Sequence, residues 1–358
     1  MAEGVGFEPT IRLPVYTLSK RAPSATRPSL RGKEQYSDVA RSHNPGGTAA
    51  QSLRSLQLSR LMFRRAPAAA RVAWAFVRLL RSRARRKNTV DDGAESMIVR
   101  ERADGSLILI GQTDHAKLSG QCAAHWGNKD FARPKPYEAV VRAAMFHDSG
   151  WYDYEASPTV AADTGKPLNF MQVTWGKPQR RAFEWAIDWM TRIDPYSGLL
   201  LSKHRTGLQR GRYGKMTSPK AFDTQNLPED NEDFLERNEE AQAAALRNYD
   251  EAEFWTNYQL LQTFDFISLF LCNKDVVDDH IEPVPTSYDG KTPPARLALK
   301  TIEGTTIAVD PFPFDVNPLR VQLVRREIDH SVFPDPGAFR EAYFKATPVA
   351  IDFILCSQ

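Results

Sequence analysis

One carboxylate lies inside a long apolar segment of this chain, and its burial would need compensation. Asp265 falls in the run 260–271, where apolar residues surround it at helical length. A buried carboxylate without a partner is strongly unfavourable, so we expect a cation or several hydrogen-bond donors beside it. Suitable partners occur upstream, at His115, at the adjacent pair His147-Asp148, and at His204.

Imidazole and carboxylate groups in this combination predict a metal site. They suit Mn, Fe, Ni, Zn or Co, and Mg is tolerated where carboxylates and waters dominate. We expect one or two such ions, with these ligands: His115, His147, Asp148, His204 and Asp265. A bound ion lowers the pKa of its water toward neutrality and polarises a phosphoryl oxygen, which is the chemistry of a hydrolase.

Further polar residues near these ligands are candidates for catalysis or substrate binding. His204, Asp148 and Asp153 are candidate catalytic groups, although a solvent-facing loop carboxylate is the preferred interpretation of Asp153. Arg205, Arg210 and Arg212 follow His204 in a glycine-containing loop, and guanidinium groups suit phosphate. The alternative for these arginines is a solvated basic loop.

The segments that must position these residues are mostly helical in pattern. Two β-prone runs around Asp104-Gly105 predict a hairpin over about 97–111. Predicted helices run from Thr113 or Asp114 to about Trp126, over Tyr137–Phe146, from Gln179 to about Arg192, over Tyr196–His204, and over Asn231–Asn273 with a break near Asp250. Strand-like segments at about 296–355, namely Arg296–Val309, Leu319–Ile328 and Pro348–Leu355, would pair with the hairpin, which predicts a mainly α fold with a small accessory sheet.

Charge divides the chain into two unlike parts. Residues 1–96 carry 18 Lys and Arg against 7 Asp and Glu, whereas residues 97–358 carry 29 against 37. An acidic body of this kind does not favour nucleic-acid binding. The three cysteines are widely spaced, which fits a reducing cytosol and argues against a disulfide scaffold. We therefore expect a cytoplasmic protein with a small-molecule substrate and an undetermined oligomeric state.

The first 96 residues show no sustained periodicity and are rich in Pro, Ser, Arg and Gly. This composition is typical of a disordered segment. The stretch 4–31 also looks like translation through a transfer-RNA gene, because Gly6-Phe7-Glu8-Pro9 back-translates to a T-arm-like sequence. We therefore expect residues 1–96 to be either a disordered basic tail or a spurious upstream translation, with Met97 as the natural start. The apolar run 66–80 is interrupted by arginines and too short to span a membrane, although a membrane-surface helix remains an alternative.

Several blocks of sequence resemble a known family. They are Gln112–Gly120, Phe146–Trp151, Asp194–Leu200 with Ser202-Lys203-His204, and Gly211–Gly214. Over roughly residues 97–355 the chain resembles the bacterial family called domain of unknown function 3891, which is in turn similar to the HD superfamily of metal-dependent phosphohydrolases. The resemblance implies a single HD-like helical domain over 97–358, with His204 as an extra ligand or a catalytic group. Many HD enzymes have two close-set histidines in the middle segment, and here His204 stands alone, which favours one ion over two.

These observations lead to three functional hypotheses. The first is a metal-dependent hydrolase of HD type that acts on a phosphate ester or nucleotide-like small molecule, with a metal-bound hydroxide as the nucleophile. The second is an HD-like di-iron oxygenase. The third is a sensory module that binds a metal or ligand without turnover.

Overall fold

The computed structural model describes residues 97–172, 176–216, 231–273 and 277–358. The expectations for residues 1–96, including the charge-rich tail and the apolar run 66–80, lie outside the described residues. Among the helices that are described, none is both long and apolar enough to cross a membrane.

The described residues form two β-strands, then seven α-helices, then four strands, one helix and a last strand. The helices are α1 Gln112–Ala124, α2 Tyr137–Phe146, α3 Tyr152–Glu155, α4 Lys177–Ile193, α5 Pro195–Gln209, α6 Glu232–Leu246, α7 Glu251–Cys272 and α8 Pro336–Lys345. The strands are β1 Met97–Glu101, β2 Leu107–Gly111, β3 Asp278–Val284, β4 Ala295–Glu303, β5 Thr306–Asp310, β6 Leu319–Ile328 and β7 Val349–Cys356.

The strands form one mixed sheet in the order β1-β2-β6-β7-β5-β4-β3. The β5 and β7 strands run parallel, and the other neighbouring pairs are antiparallel. β6 shows why these residues form a sheet with one buried face, since Leu319, Val321 and Leu323 are buried while Arg320 and Gln322 are exposed. The α1 helix packs on β6, so helices and sheet share one hydrophobic core.

The predicted fold class is wrong. We expected a mainly α fold with an HD-like helical core and a small accessory sheet, but the described residues are 48% helix and 21% strand, with seven strands in a single mixed sheet. β3 was missed because only Ile281 and Val284 are buried in it, and a register shift between them breaks the two-residue alternation. The segment expected as one strand over 296–309 divides into β4 and β5 at a turn with Gly304 at φ +55°.

The α7 helix lies at the centre of the helical layer and packs against α1, α2 and α5. Asp250 caps it by accepting a 2.7 Å hydrogen bond from the Glu253 amide. Nearly every residue from Asn257 to Cys272 is buried, which is the pattern of a helix surrounded by protein on all sides. The prediction that Asp265 is buried is confirmed, since its exposed fraction is 3%.

Candidate metal centre

Three helices bring four of the predicted ligands to one point. His115 lies in the first turns of α1, Asp265 lies in the middle of α7, and His147-Asp148 follow the last residue of α2. The chain then turns sharply at Gly150, where a Cβ atom would lie 2.6 Å from the Phe183 ring. This close approach requires a glycine and fixes the segment that carries His147 and Asp148.

The donor atoms of this cluster are spaced as ligands of one ion would be. The two Nε2 atoms of His115 and His147 are 3.1 Å apart. Asp265 Oδ1 lies 3.3 Å from His115 Nε2 and 3.5 Å from His147 Nε2. Asp148 Oδ2 lies 3.5 Å from His115 Nε2 and 3.6 Å from His147 Nε2. Four ligands at about 2.1 Å from an ion in tetrahedral geometry are about 3.4 Å from one another, and the five measured pairs match this spacing. Two overlapping triads have all their donor atoms within 4.8 Å of one another: His115-His147-Asp148 and His147-His204-Asp265.

Hydrogen bonds at the far side of each ring set its protonation. His147 Nδ1 donates to the Ala144 carbonyl at 2.8 Å. His115 Nδ1 lies 2.7 Å from Ser268 Oγ, and that hydroxyl donates its own proton to the Asp265 carbonyl at 2.8 Å. When Ser268 gives its proton to that carbonyl it accepts from His115 Nδ1, and in the neutral rings both Nε2 lone pairs then face each other and two carboxylates. Such an arrangement of electron-rich atoms is unfavourable without a positive charge at its centre.

The electrostatics of the cluster also attract positive charge. Burial lowers the pKa of His115, but its contacts with Asp148 and Asp265 outweigh burial and raise that pKa well above the usual range. Burial raises the pKa values of Asp148 and Asp265, and the neighbouring histidines outweigh it and lower both, that of Asp265 to well below its usual range. A proton and a metal ion therefore compete for the same nitrogen of His115.

His204 faces the same centre from α5 but is placed differently. It shares with His147 and Asp265 a group of donor atoms within 4.8 Å of one another. Its Nδ1 lies 2.7 Å from Gln262 Nε2. Burial and the neighbouring His147 lower the pKa of His204 to about 3, so the ring is neutral at physiological pH.

Two buried arginines stand beside the carboxylates. Arg212 Nη1 lies 3.7 Å from Asp265 Oδ2, and its guanidinium carbon is 4.2 Å from the Phe266 ring centre. The Arg205 guanidinium carbon is 4.2 Å from the Phe183 ring centre, and burial lowers the pKa of Arg205 to about 9 although Asp148 opposes this shift. Both side chains stay charged at neutral pH and are therefore suited to an anionic ligand.

A cavity of about 60 Å³ lies over the cluster. Its walls are Gln112, His115, Asp148, Trp151, Phe170, Met171, His204, Arg205, Leu208, Arg212, Asp265 and Leu269. Gln112 was missed by sequence reasoning. Its side chain is buried, and neither amide atom has a hydrogen-bond partner among the described residues. The available signal was its position three residues before His115, on the same face of α1.

Comparison with known proteins places the chain in a family. The family model described as "Protein of unknown function (DUF3891)" matches residues 97–330. The chain belongs to this family. The matched range contains every residue of the candidate metal centre and of the cavity wall, while α8 and β7 lie beyond it. Neither a curated protein nor a solved structure matches the chain.

Three predicted site residues lie outside the cavity wall. His147 belongs to the donor cluster but does not line the cavity. Asp153 is exposed on the short helix α3. Arg210 forms ion pairs with Glu232 and Glu239, the second at 3.0 Å, so its charge is already engaged. Of the three arginines expected to bind phosphate, Arg205 and Arg212 line the cavity. Arg210 follows the end of α5 and pairs with α6 instead.

Proposed function

We propose that this protein is a metal-dependent hydrolase that acts on a phosphate ester or nucleotide-like small molecule. The observation that carries the proposal is the set of four buried donor atoms, 3.1–3.6 Å apart in the five measured pairs, with two Nε2 lone pairs turned inward. His115, His147, Asp148 and Asp265 would hold a divalent transition metal, and we propose one ion rather than two because His204 stands alone where many HD enzymes have two close-set histidines. When bound, the ion lowers the pKa of a water ligand and polarises a phosphoryl oxygen.

Charge balance at the centre supports an anionic substrate. Asp148 and Asp265 bring two negative charges, and Arg205 and Arg212 bring two positive charges into the same cavity. With the three histidines neutral, a divalent ion would leave the centre with two excess positive charges. A positive centre walled by Trp151 and other apolar side chains concentrates a phosphate-bearing molecule and stabilises negative charge that develops on it.

The size of the cavity supports a small reacting group. One buried water occupies about 10–15 Å³ of cavity volume, so a cavity of about 60 Å³ holds roughly four or five water-sized groups. This space suits a phosphoryl group and a water, and the rest of the ester would extend past the rim. Met171 belongs to the same wall and is 45% exposed, so the cavity reaches solvent on that side.

The order of the ligands along the chain supports the same chemistry. His115, the His147-Asp148 pair and Asp265 follow the order of a histidine, a His-Asp doublet and a helical aspartate that resembles the HD superfamily of phosphohydrolases. The proposal takes only this ligand set from the resemblance, because the seven-stranded sheet differs from an HD-like helical fold. We also propose that the protein works in a reducing cytoplasm, since Cys122, Cys272 and Cys356 are all free thiols.

The test combines metal analysis with a substrate panel on the full chain. Purified protein is analysed for bound metals and then assayed with phosphomonoesters, nucleotides and cyclic dinucleotides in the presence of Mn²⁺, Ni²⁺ or Mg²⁺. We expect metal-dependent hydrolysis that falls by about 100-fold or more in His147→Ala, which removes a ligand. His125→Ala is the matched control, because His125 follows the end of α1 and pairs with Asp315 at the surface.

The outcomes separate the three hypotheses. Hydrolysis that is insensitive to His147→Ala, or no hydrolysis with any metal, would contradict the proposal. Two irons per chain with an iron absorption band would favour the oxygenase. Stable metal or ligand binding without turnover would favour the sensory module.

A further inference from the structure

A chain of hydrogen bonds fixes the orientation of His204. Arg212 Nη1 donates to Gln262 Oε1, and Gln262 Nε2 lies 2.7 Å from His204 Nδ1. All three side chains are buried, with Gln262 fully enclosed in α7. The chain runs from the arginine, through the amide, to the imidazole at the cavity wall.

Only one protonation pattern satisfies this chain. Arginine has donors and no acceptor, so the atom of Gln262 that faces Arg212 is its carbonyl oxygen. The amide nitrogen of Gln262 then faces His204 and donates to Nδ1, which must carry a lone pair. A neutral imidazole with an unprotonated Nδ1 carries its proton on Nε2. His204 is therefore the reverse of His147, whose Nδ1 donates to the Ala144 carbonyl.

The backbone around Arg212 supports a dedicated role for this chain. Arg212 and Tyr213 both have left-handed φ values, 51° and 52°, which residues other than glycine rarely adopt. Such conformations persist where their surroundings hold them, and they cluster at ligand sites. The Tyr213 hydroxyl anchors the turn by donating to Glu239 at 2.8 Å. The turn directs the Arg212 guanidinium inward, onto the Phe266 ring.

Distances separate His204 from the other two histidines. His115 and His147 each have two carboxylate oxygens within 3.3–3.6 Å of Nε2. No ion pair within 4.0 Å joins His204 to a carboxylate of the described residues, yet its side chain lines the cavity. Because Nδ1 bonds Gln262, Nε2 on the opposite side of the ring is the nitrogen available to a ligand in the cavity.

We propose that Arg212 and Gln262 hold His204 as a neutral hydrogen-bond donor, whose Nε2–H binds an oxygen of a phosphoryl group in the cavity, rather than as a ligand of the metal ion. Gln262 and Arg212 are positioning residues in this arrangement. The assignment of the bound group rests on the proposed function, whereas the protonation pattern follows from the hydrogen bonds alone.

The first test reads the protonation pattern directly. Protein labelled with ¹⁵N-histidine is examined by long-range ¹H–¹⁵N correlation, and His204→Gln identifies the signals of His204. We expect a protonated Nε2 and an unprotonated Nδ1. Gln262→Glu places an acceptor opposite Nδ1 and should move a proton onto that nitrogen. The control Gln259→Glu changes the same residue type one turn earlier on α7, where the side chain bonds the Lys215 carbonyl, and should leave the His204 signals unchanged. A protonated Nδ1 in the unmodified protein would overturn the proposal.

The second test uses zinc and inorganic phosphate as probes. His147→Ala should weaken zinc binding by about 100-fold, as expected for a lost ligand, while His204→Gln should change it by less than about threefold. Phosphate affinity of the zinc-loaded protein should fall by about 10- to 100-fold in His204→Leu, because one hydrogen bond to a charged group is lost. Circular dichroism of each variant confirms that it is folded.

The two proposals fail in different ways. If the unmodified protein binds no zinc, the proposed function is wrong, and the histidine spectrum still decides the protonation of His204. If the protein binds zinc and His204→Gln loses it as severely as His147→Ala, His204 is a ligand and the present inference is wrong. Unchanged phosphate affinity in His204→Leu would also overturn it.

Discussion

Removal of the Asp265 charge should reduce the stability that the protein gains when it binds a metal ion. Asp265 Oδ1 lies 3.3 and 3.5 Å from the Nε2 atoms of His115 and His147, so it is placed as one of four ligands. Asp265→Asn keeps the shape of the side chain and removes its charge. Structural zinc sites with four ligands bind with about 10–16 kcal/mol, so one ligand contributes roughly 3 kcal/mol, or about 100-fold in affinity.

This loss can be measured as stability gained on adding zinc. At a zinc concentration of 100 times the dissociation constant, the unmodified protein should gain about 2.7 kcal/mol in the free energy of unfolding. At the same concentration, Asp265→Asn should gain only about 0.4 kcal/mol, because its site is half occupied. Urea denaturation with and without zinc gives both values, and His125→Ala should behave like the unmodified protein. An equal gain in Asp265→Asn would refute the assignment of Asp265 as a ligand.

Three further changes follow from the described contacts. Zinc affinity should decline by about tenfold per pH unit below the raised pKa of His115, because one proton leaves its Nε2 on binding. Calorimetry in two buffers counts that proton, and a zinc affinity that does not change between pH 5 and 8 would contradict the competition. Burial raises the pKa of Glu155 from 4.5 to about 7, although hydrogen bonds from Thr113 oppose this shift. The folded state therefore binds more protons than the unfolded state between these two pH values, and the free energy of unfolding should fall as pH rises across them. Urea denaturation of Glu155→Gln should show no such fall, and the same pH dependence in the variant would exclude this carboxyl as its source. Gly198→Ala should destabilise the protein by about 1–3 kcal/mol, because its Cβ would lie 2.6 Å from Thr191 Cα where α5 packs on α4. An unchanged urea midpoint would contradict this, since it would mean that α4 and α5 can move apart without loss of stability.

The helical framework of the site was predictable, because its signals are local. The predicted helix Tyr137–Phe146 is α2 with the same bounds, and the apolar run around Asp265 is the buried part of α7. Burial of a carboxylate there required partners, and the available histidines were few. The structure brings His115, His147 and Asp148 to Asp265, while their role as metal ligands stays a prediction.

The sheet was not predictable in the same way, because its strands depend on distant partners. β7 pairs with β6 on one side and with β5, in parallel, on the other. The α8 helix was also missed, because it lies between segments expected as strands; Asp335 caps it by accepting a hydrogen bond from the Ala338 amide. Here tertiary packing decides what local propensity leaves open.

Two buried glutamines, one in the cavity wall and one bonded to His204, show the limit of residue-type reasoning. Gln112 and Gln262 are ordinary helix residues by type, and only their burial and partners distinguish them. Asp153 and Arg210 show the opposite error, because their types suit catalysis and phosphate binding but their side chains lie outside the cavity wall. Proximity along the chain to His147 or His204 did not predict which side of the helix each residue would occupy.

The most direct test of the metal centre is X-ray absorption spectroscopy of the full chain loaded with zinc. The structure predicts one ion per chain with four nitrogen and oxygen ligands at about 2.1 Å, two of them imidazoles, and loss of this spectrum in His147→Ala. A protein that takes up no zinc, or holds it without imidazole ligands, would contradict the central claim that His115, His147, Asp148 and Asp265 form a metal site.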